Sequence, residues 1–384
     1  MRAFVFTNPA LASEAGRFVW LAIDVENKKN AAAGKAYYAS ALPTFLIVHP
    51  SDGSVLSRRV GGMSVDQLRE FLRSGEAALV VARGGKPVAP ADTALASAER
   101  AYGAGDYETA AGAYIVALRT PPADPAADSR AVEAALYSLS TTDRNVEGLE
   151  VAEAARARFG HSPAGASATA QGLDFALALP DSIPGRGAKV AELEAATRVF
   201  VADTTLVLAD DDRSGMLGTL LSARQDAKDE AGAKIAADAW VTFLLGARAR
   251  DTTAEQRTAS DGYLVSAAIE AGEPERALPA LLASERDLPG DYNPSARVAA
   301  LYNALKRYDD AQAAAKRSLA KAYGPRKLRV YSTLADAQIG TGDKAAARAT
   351  LDEGIAYGLS LPEGQKPNSL IAALTKKRDG LEKS

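Results

Sequence analysis

Side chains that could do chemistry are few and widely spaced in this chain. The 384 residues include two histidines, His49 and His161, and no cysteine. A nucleophile needs an adjacent base and an orienting acid, and no serine stands in a G-x-S-x-G turn. His49 closes a predicted strand and His161 follows a predicted helix end, so both are interpreted as surface or helix-terminal residues. No catalytic residue is predicted.

The missing cysteines also restrict metals and cofactors. The chain as written has no disulfide, reactive thiolate, zinc–thiolate site or iron–sulfur cluster. Two histidines exclude a multi-histidine metal site. DDDRSG (Asp210–Gly215) begins like a calcium loop, but Leu221 stands where the bidentate acid should be. It is interpreted as an acidic loop that caps the next helix, and no metal or cofactor is predicted.

The sequence offers more residues that could bind a partner than residues that could catalyse a reaction. Four tyrosines could line a groove, although packing between repeats is the alternative: Tyr102, Tyr114, Tyr302 and Tyr331. Five basic residues form a local cluster that could meet an acidic peptide or simply be solvated: Arg317, Lys321, Arg326, Lys327 and Arg329. The formal net charge of −3 gives no electrostatic case for nucleic acid.

The elements that must position these side chains fall into two zones. From about Asp92 onward the chain is alanine-rich and helical. Residues 94–122 predict a helical hairpin, with Ala98, Ala110 and Ala117 where two helices approach closely. The spacing of Gly105, Ala110, Tyr114, Ala117 and Pro122 resembles a tetratricopeptide repeat, whose period is about 34 residues.

Weaker echoes of this hairpin follow along the chain. The turn and the small residue recur at Gly272 with Ala277, at Tyr308 with Ala311, and at Gly342 with Ala347. Helices are also predicted across 160–250, without a fixed register. The resemblance implies stacked hairpins that bind proteins or peptides.

The first zone, residues 1–78, mixes helices and strands. Arg17–Val25 (RFVWLAIDV) and Pro43–His49 (PTFLIVH) predict buried strands joined by a helical crossover, in a βαβ-like unit. The PSDG turn predicts a hairpin. Ser64 then caps a helix with one apolar face: Val65, Leu68, Phe71 and Leu72. Near the start, Asn8 caps a short helix that begins at Pro9.

This order of elements resembles the C-terminal two-thirds of a thioredoxin-like domain. Phe6, Asn8, Pro9 and Asp24 fit the stretch that follows the family's Cys-x-x-Cys turn, and Gly61 or Gly62 fits the glycine after the hairpin. The resemblance implies a cis peptide bond before Pro43 and a peptide-binding edge at Leu42, Pro43 and Thr44.

The first strand and the cysteine turn of that family would lie upstream of Met1. We therefore expect Met1 to be an internal methionine of a longer chain. The alternatives are a folded but redox-inactive domain and no relationship to thioredoxin-like proteins. The missing strand is central in the family fold, and its loss would leave two apolar strands without their shared neighbour. Trp20 is expected in the core, Asp24 at a strand end or in a loop, and Glu26 in solvent.

The expected fold is α/β plus all-α: an incomplete thioredoxin-like domain (1–78), a linker (79–91) and an α-helical tetratricopeptide-like repeat array (92–384). The main functional expectation is a truncated or cysteine-less relative of a thiol–disulfide redox protein, inactive in redox as written. The alternative is a non-enzymatic scaffold that binds proteins or peptides in the repeat groove. No apolar run approaches the roughly 20 residues of a membrane span. The expected location is cytoplasmic, or periplasmic or secreted if an upstream signal peptide is lost.

Overall fold

A computed structural model of the chain describes residues 1, 3–37, 41–84 and 93–381. Helices dominate these residues. Two strands and a series of α-helices follow one another in chain order: α1 (Ala31–Ala36), β1 (Thr44–Val48), β2 (Val55–Val60), α2 (Val65–Ala82), α3 (Ala94–Ala104), α4 (Tyr107–Ala117), α5 (Pro125–Thr141), α6 (Asn145–Phe159), α7 (Pro163–Ala178), α8 (Arg186–Ala202), α9 (Asp210–Asp226), α10 (Glu230–Arg250), α11 (Ala254–Ala259), α12 (Asp261–Glu270), α13 (Leu278–Asp287), α14 (Tyr292–Ala304), α15 (Tyr308–Leu319), α16 (Lys327–Gly340), α17 (Lys344–Ser360) and α18 (Asn368–Gly380). Short 3-10 helices cover Pro9–Glu14, Lys28–Asn30, Pro274–Arg276 and Glu363–Gln365.

The described residues divide into two compact units. The first unit contains residues up to 18 and residues 41–233. The second contains residues 19–37 and 234–381. The stretch 1–78 is therefore shared between the units, and α2 runs four residues into the expected linker, whose residues 85–91 lie outside the described part of the chain.

The hairpin and the helix after it form as the sequence predicts. β1 and β2 pair antiparallel from Thr44 opposite Val60 to Val48 opposite Val55. Ser64 and Gln67 make a reciprocal capping box at the start of α2. The face of α2 that the periodicity selects is buried at Leu68, Phe71 and Leu72 against the hairpin. Asn8 caps the 3-10 helix that Pro9 begins.

The strand predicted at Arg17–Val25 is wrong, and so is the βαβ unit built on it. Residues 19–24 have no regular secondary structure, and within the described residues the sheet consists of β1 and β2 alone. Val19 is 88% exposed and Trp20, expected in the core, is 47% exposed. A strand forms only when a neighbour takes up its backbone hydrogen bonds, and no neighbour for this segment lies among the described residues.

The helical array is built from one repeated turn. Across residues 93–381 six connections between helices share one short turn, whose positive-φ residue is Gly105, Asp143, Lys228, Gly272, Lys306 or Gly342. At each turn the next backbone N–H donates, over 2.8 or 2.9 Å, to the carbonyl five residues earlier. This bond is that of a Schellman motif, which ends one helix and aims the next back along it.

A small residue follows each of these turns five positions later: Ala110, Gly148, Ala233, Ala277, Ala311 and Ala347. All of them except the half-buried Ala233 are buried. Small side chains let the second helix approach the first closely, so the turn and the small residue together define these six hairpins. The predicted turns at Gly105, Gly272 and Gly342 are confirmed. The turn predicted at Tyr308 lies two residues earlier, at Lys306, and Tyr308 begins α15.

Candidate functional site

The first helices of successive hairpins contact one another along one face of the first unit, which we call the inner face. α5 contacts both α3 and α7, and α7 contacts α9. Each of these helices also packs against the helices next to it in sequence. In a stack of helical hairpins, contact between alternate helices places them on the concave side. A groove for a partner is therefore expected along α3, α5, α7 and α9.

A cavity of about 230 Å³ opens on this face between α7 and α9. We call it the inner cavity. Its charged lining is entirely acidic, from Asp174, Asp211 and Asp212. Its apolar lining includes Ala166 and Met216, both of which are buried. The inner cavity thus combines an apolar floor with carboxylates.

Local hydrogen bonds fix the two helices that carry these side chains. The Ser162 hydroxyl accepts from the Gly165 backbone N–H over 3.2 Å and caps α7. The Arg213 guanidinium donates to four backbone carbonyls, two in the last turn of α8, including that of Val201 at 2.6 Å, and two in the α8–α9 connection. The start of α9, with Asp211 and Asp212, is therefore held in one place.

Asp174 and Asp212 both have exposed surface, but the protein packed around their carboxylates removes part of their hydration and raises the pKa of each. Crowding by protein raises the pKa of Asp174 to about 6, although the Thr219 hydroxyl acts in the opposite direction. The pKa of Asp212 is also raised, first by burial and then by the negative charge of Asp211. Carboxyl groups with raised pKa values in a concave site are a feature of functional sites, and a bound cation would favour their ionised form.

A second, smaller cavity lies between β2, α3 and α5, and both of its carboxylates are already paired. Its volume is about 40 Å³. The Arg59 guanidinium pairs with the Glu133 carboxylate, and Arg130 lies 3.4 Å from the Glu99 carboxylate. Arg58 donates to the Gly103 carbonyl over 3.0 Å. We interpret these groups as the attachment of the hairpin to the helical array.

The predicted groove tyrosines lie in packed positions. Tyr102 and Tyr114 are 5% and 0% exposed and belong to one cluster of edge-to-face rings. Tyr302 and Tyr331 are 9% and 4% exposed. Packing between helices, the alternative reading of their spacing, accounts for all four positions.

The predicted peptide edge lies at the surface. Leu42 and Pro43 are exposed, and the peptide bond between them is cis, as the resemblance implied. The Thr44 hydroxyl donates to the Ala41 carbonyl over 2.6 Å. The sequence has no cysteine that could lie opposite this edge.

The histidines and the DDDRSG stretch have local roles. His49 lies in the hairpin turn, with Nδ1 2.9 Å from the Ser51 hydroxyl. His161 follows α6, is half exposed and pairs with Asp203 at 2.7 Å. Asp210–Asp212 form the first turn of α9 rather than the expected capping loop, a position where carboxylates favour the helix dipole. No group of three acidic or histidine residues within the described residues could hold a metal ion.

The basic cluster is largely engaged within the second unit. Arg317 pairs with Glu285 at 2.8 Å, and Arg326 pairs with Glu26 at 2.6 Å. Lys327 lies over the rings of Tyr331 and Tyr357. The expectation that Glu26 is solvated is wrong, because Arg326 covers it and leaves 18% of its side chain exposed.

Sequence reasoning missed the inner cavity. Asp174 lies in the stretch whose helical register could not be fixed, so its position on the inner face had no visible signal. Only the acidic start of α9 was singled out, as a possible metal loop. The described helices include none that is long and apolar enough to cross a membrane.

Comparisons with known proteins give structural neighbours only. A tetratricopeptide repeat protein from Parabacteroides merdae aligns over 74% of this chain and 97% of its own, with a TM-score of 0.47 and 12% identity. The TPR2AB domain of yeast Sti1, in a complex with pHSP90, aligns over 75% and 98%, with a TM-score of 0.29 and 16% identity. No protein-family model and no curated protein matches the chain. The helical-repeat architecture rests on the hairpins themselves.

Proposed function

We propose that the protein is a non-enzymatic scaffold of the tetratricopeptide-like type that binds protein or peptide segments on the inner face of its first helical unit. The observation that carries this proposal is the inner cavity between α7 and α9. A concave, preformed cavity with an apolar floor and a few polar groups is the usual form of a ligand site.

The chemistry of the cavity selects the partner group. Asp174, Asp211 and Asp212 supply negative charge, and Ala166 and Met216 supply apolar surface. Lysine and arginine side chains match this combination, since their apolar stems lie along hydrophobic surface while their cationic heads reach polar groups. The proposed ligand is therefore a basic side chain within an extended peptide.

The proposal predicts selective binding of a basic peptide. The probe is a fluorescent heptapeptide with Leu-Lys-Leu at its centre, and a Leu-Gln-Leu peptide is the control ligand. Charge-assisted hydrogen bonds contribute about 1.5 kcal/mol or more each. We expect the double variant Asp174→Asn/Asp212→Asn to lose at least about tenfold in affinity, measured by fluorescence anisotropy on the full chain. Asp309→Asn/Asp310→Asn removes two carboxylates from the first turn of α15 and is the matched control.

The same titration has a defined pH dependence. Asp174 has a pKa of about 6 in the free protein, so it is mostly protonated below that value and ionised above it. A cationic ligand requires the ionised form, so affinity should rise as pH increases through about 6. Equal affinity for the lysine and glutamine peptides, or an unchanged affinity in the Asp174→Asn/Asp212→Asn variant, would refute the assignment.

We further propose, as a subordinate point, that the region of the β1–β2 hairpin has a thioredoxin-like origin. The order of the 3-10 helix at Pro9–Glu14, the β1–β2 hairpin, Gly61 and α2 supports it. The segment at 19–24 does not, because it forms no strand. In this view Leu42, Pro43 and Thr44 present a second peptide edge, without redox chemistry.

A further inference from the structure

One short acidic segment of the chain is held like a bound peptide in the second unit. We call Asp24–Asn27 the acidic segment. The Tyr323 hydroxyl donates to the Asp24 carboxylate over 2.7 Å. The Glu26 carboxylate pairs with Arg326 at 2.6 Å. The Gln365 side-chain amide donates to the backbone carbonyls of Val25 and Asn27, at 2.7 and 3.2 Å.

The residues that hold this segment come from two connections at the same end of the array. Tyr323, Gly324 and Arg326 lie between α15 and α16, and Gln365 lies between α17 and α18. Both connections lead from one hairpin to the next, so they lie on one edge of the stack. We call these four residues the loop site.

The backbone of the segment passes so close that only glycine fits beneath it. Gly324 has a φ of +65°, and a Cβ atom there would lie 2.7 Å from the Glu26 carbonyl oxygen. Both features exclude larger residues at this position. Backbone contact of this kind recognises the peptide chain of the acidic segment independently of its side chains.

Cationic groups at the loop site offset part of the cost of burying a carboxylate. Burial and, to a lesser extent, the charge of Asp24 raise the pKa of Glu26, and Arg326 and Arg329 act in the opposite direction without cancelling the rise. The hydrogen bond to Asp24 and burial raise the pKa of Tyr323 to about 12, so this hydroxyl remains a donor. Asp24–Asn27 form a hydrogen-bonded turn, in which the Asn27 N–H donates to the Asp24 carbonyl over 3.2 Å and the Glu26 N–H donates to the Asp24 carboxylate over 3.0 Å. This turn presents Asp24 and Glu26 to the loop site together.

The contact does not continue into the preceding residues. Val19, Leu21 and Ile23 are 88%, 78% and 45% exposed. The loop site therefore binds the two carboxylates and two backbone carbonyls of the acidic segment. The apolar residues before the segment contribute little to this binding.

We propose that the loop site is a recognition site for acidic turns with carboxylates two residues apart, that Asp24–Asn27 is its resident ligand, and that an acidic turn of a partner protein exchanges with it. The surface and the partner chemistry differ from those of the inner cavity, so the proposal stands apart from the proposed function. The tether gives the resident segment an effective concentration that reaches roughly millimolar for short flexible connections. A partner segment in solution must compete against it.

The test uses a synthetic peptide with the sequence of residues 23–28, Ile-Asp-Val-Glu-Asn-Lys, acetylated, amidated and fluorescently labelled. In Asp24→Asn/Glu26→Gln, whose resident segment has lost its charges, we expect the peptide to bind at least about tenfold more tightly than in the unaltered chain. Adding Arg326→Gln should abolish that binding. A peptide with asparagine and glutamine at the two acidic positions is the control ligand.

A second measurement keeps the proposal falsifiable if the variant folds poorly. Lys28 and Lys29 are exposed and directly follow the acidic segment. In the unaltered chain, saturating acidic peptide should displace the segment and speed tryptic cleavage there at least about twofold. Binding that survives Arg326→Gln, or no binding to the variant and no change in cleavage, would overturn the proposal.

Discussion

Replacing Arg248 by methionine is expected to lower the free energy of unfolding by about 3–5 kcal/mol, the usual loss when one partner of a buried ion pair is removed. Arg248 is 8% exposed and lies 2.6 Å from the carboxylate of Asp261, which is fully buried. The guanidinium also donates to the Ala280 carbonyl at 2.9 Å and to the Ser284 hydroxyl at 3.0 Å. One side chain therefore ties together α10, α12 and α13.

The expected loss in the free energy of unfolding is large because the Asp261 carboxylate stays buried without its main cationic partner. Without Arg248 the nearest cation to Asp261 is Arg297, at 3.9 Å from its other oxygen. Burial already raises the pKa of Asp261, and losing Arg248 would raise it further. A carboxyl whose folded-state pKa is raised binds its proton more tightly in the folded state, so the variant should recover stability as pH falls from about 7 to about 4.

Urea denaturation followed by Trp240 fluorescence would measure this effect. Trp240 lies on α10 with its ring 5.9 Å from that of Tyr263, and Trp20→Phe would remove the other tryptophan. Adding Asp261→Leu to Arg248→Met should restore much of the stability, because a buried pair replaced by apolar residues is often nearly neutral. A loss below about 1 kcal/mol at neutral pH would contradict the expected role of the pair.

The second large effect is expected at Gly148, where alanine should cost about 2 kcal/mol, in the range for overpacked cores. Gly148 occupies the small-residue position after the Asp143 turn. A Cβ atom there would lie 2.3 Å from the ring of Phe175 on α7. That ring is 5% exposed and packed in a core cluster, so it has no room to move away.

Two further variants separate the clash from helix propensity. Gly246 lies inside α10, and a Cβ atom there meets only the far end of the Arg250 side chain, at 4.0 Å. Gly246→Ala should therefore stabilise by up to about 1 kcal/mol. In a Phe175→Leu background, Gly148→Ala should cost much less than in the unaltered chain, as a double-mutant cycle would show. Equal effects of Gly148→Ala in both backgrounds would rule out the clash.

The features predicted correctly from sequence are those with local causes. The β1–β2 hairpin, the Ser64 cap and the buried face of α2 follow from turn chemistry and periodicity within a few residues. The hairpins at Gly105, Gly272 and Gly342 were visible because glycine marks a left-handed residue. Those at Asp143 and Lys228 were not, because a non-glycine residue adopts the same backbone.

The features that sequence reasoning missed depend on distant contacts. The apolar residues 17–25 have strand composition, but a strand requires a partner, and composition does not supply one. Glu26 pairs with Arg326, three hundred residues later in the chain, and no sequence pattern in either segment predicts this ion pair. The inner cavity forms where α7 and α9 converge, which required the register of a stretch with weak repeat signals.

Photo-cross-linking would test the central claim, that the inner face binds a basic segment, most directly. A Leu-Lys-Leu heptapeptide with a photoreactive residue beside the lysine would be cross-linked to the full chain, and the attachment sites mapped by mass spectrometry. The account predicts attachment within α7 and the first half of α9, competed by unlabelled lysine peptide and lost in Asp174→Asn/Asp212→Asn. Attachment on α6 or α8, at Leu42–Thr44, or scattered without competition would contradict it.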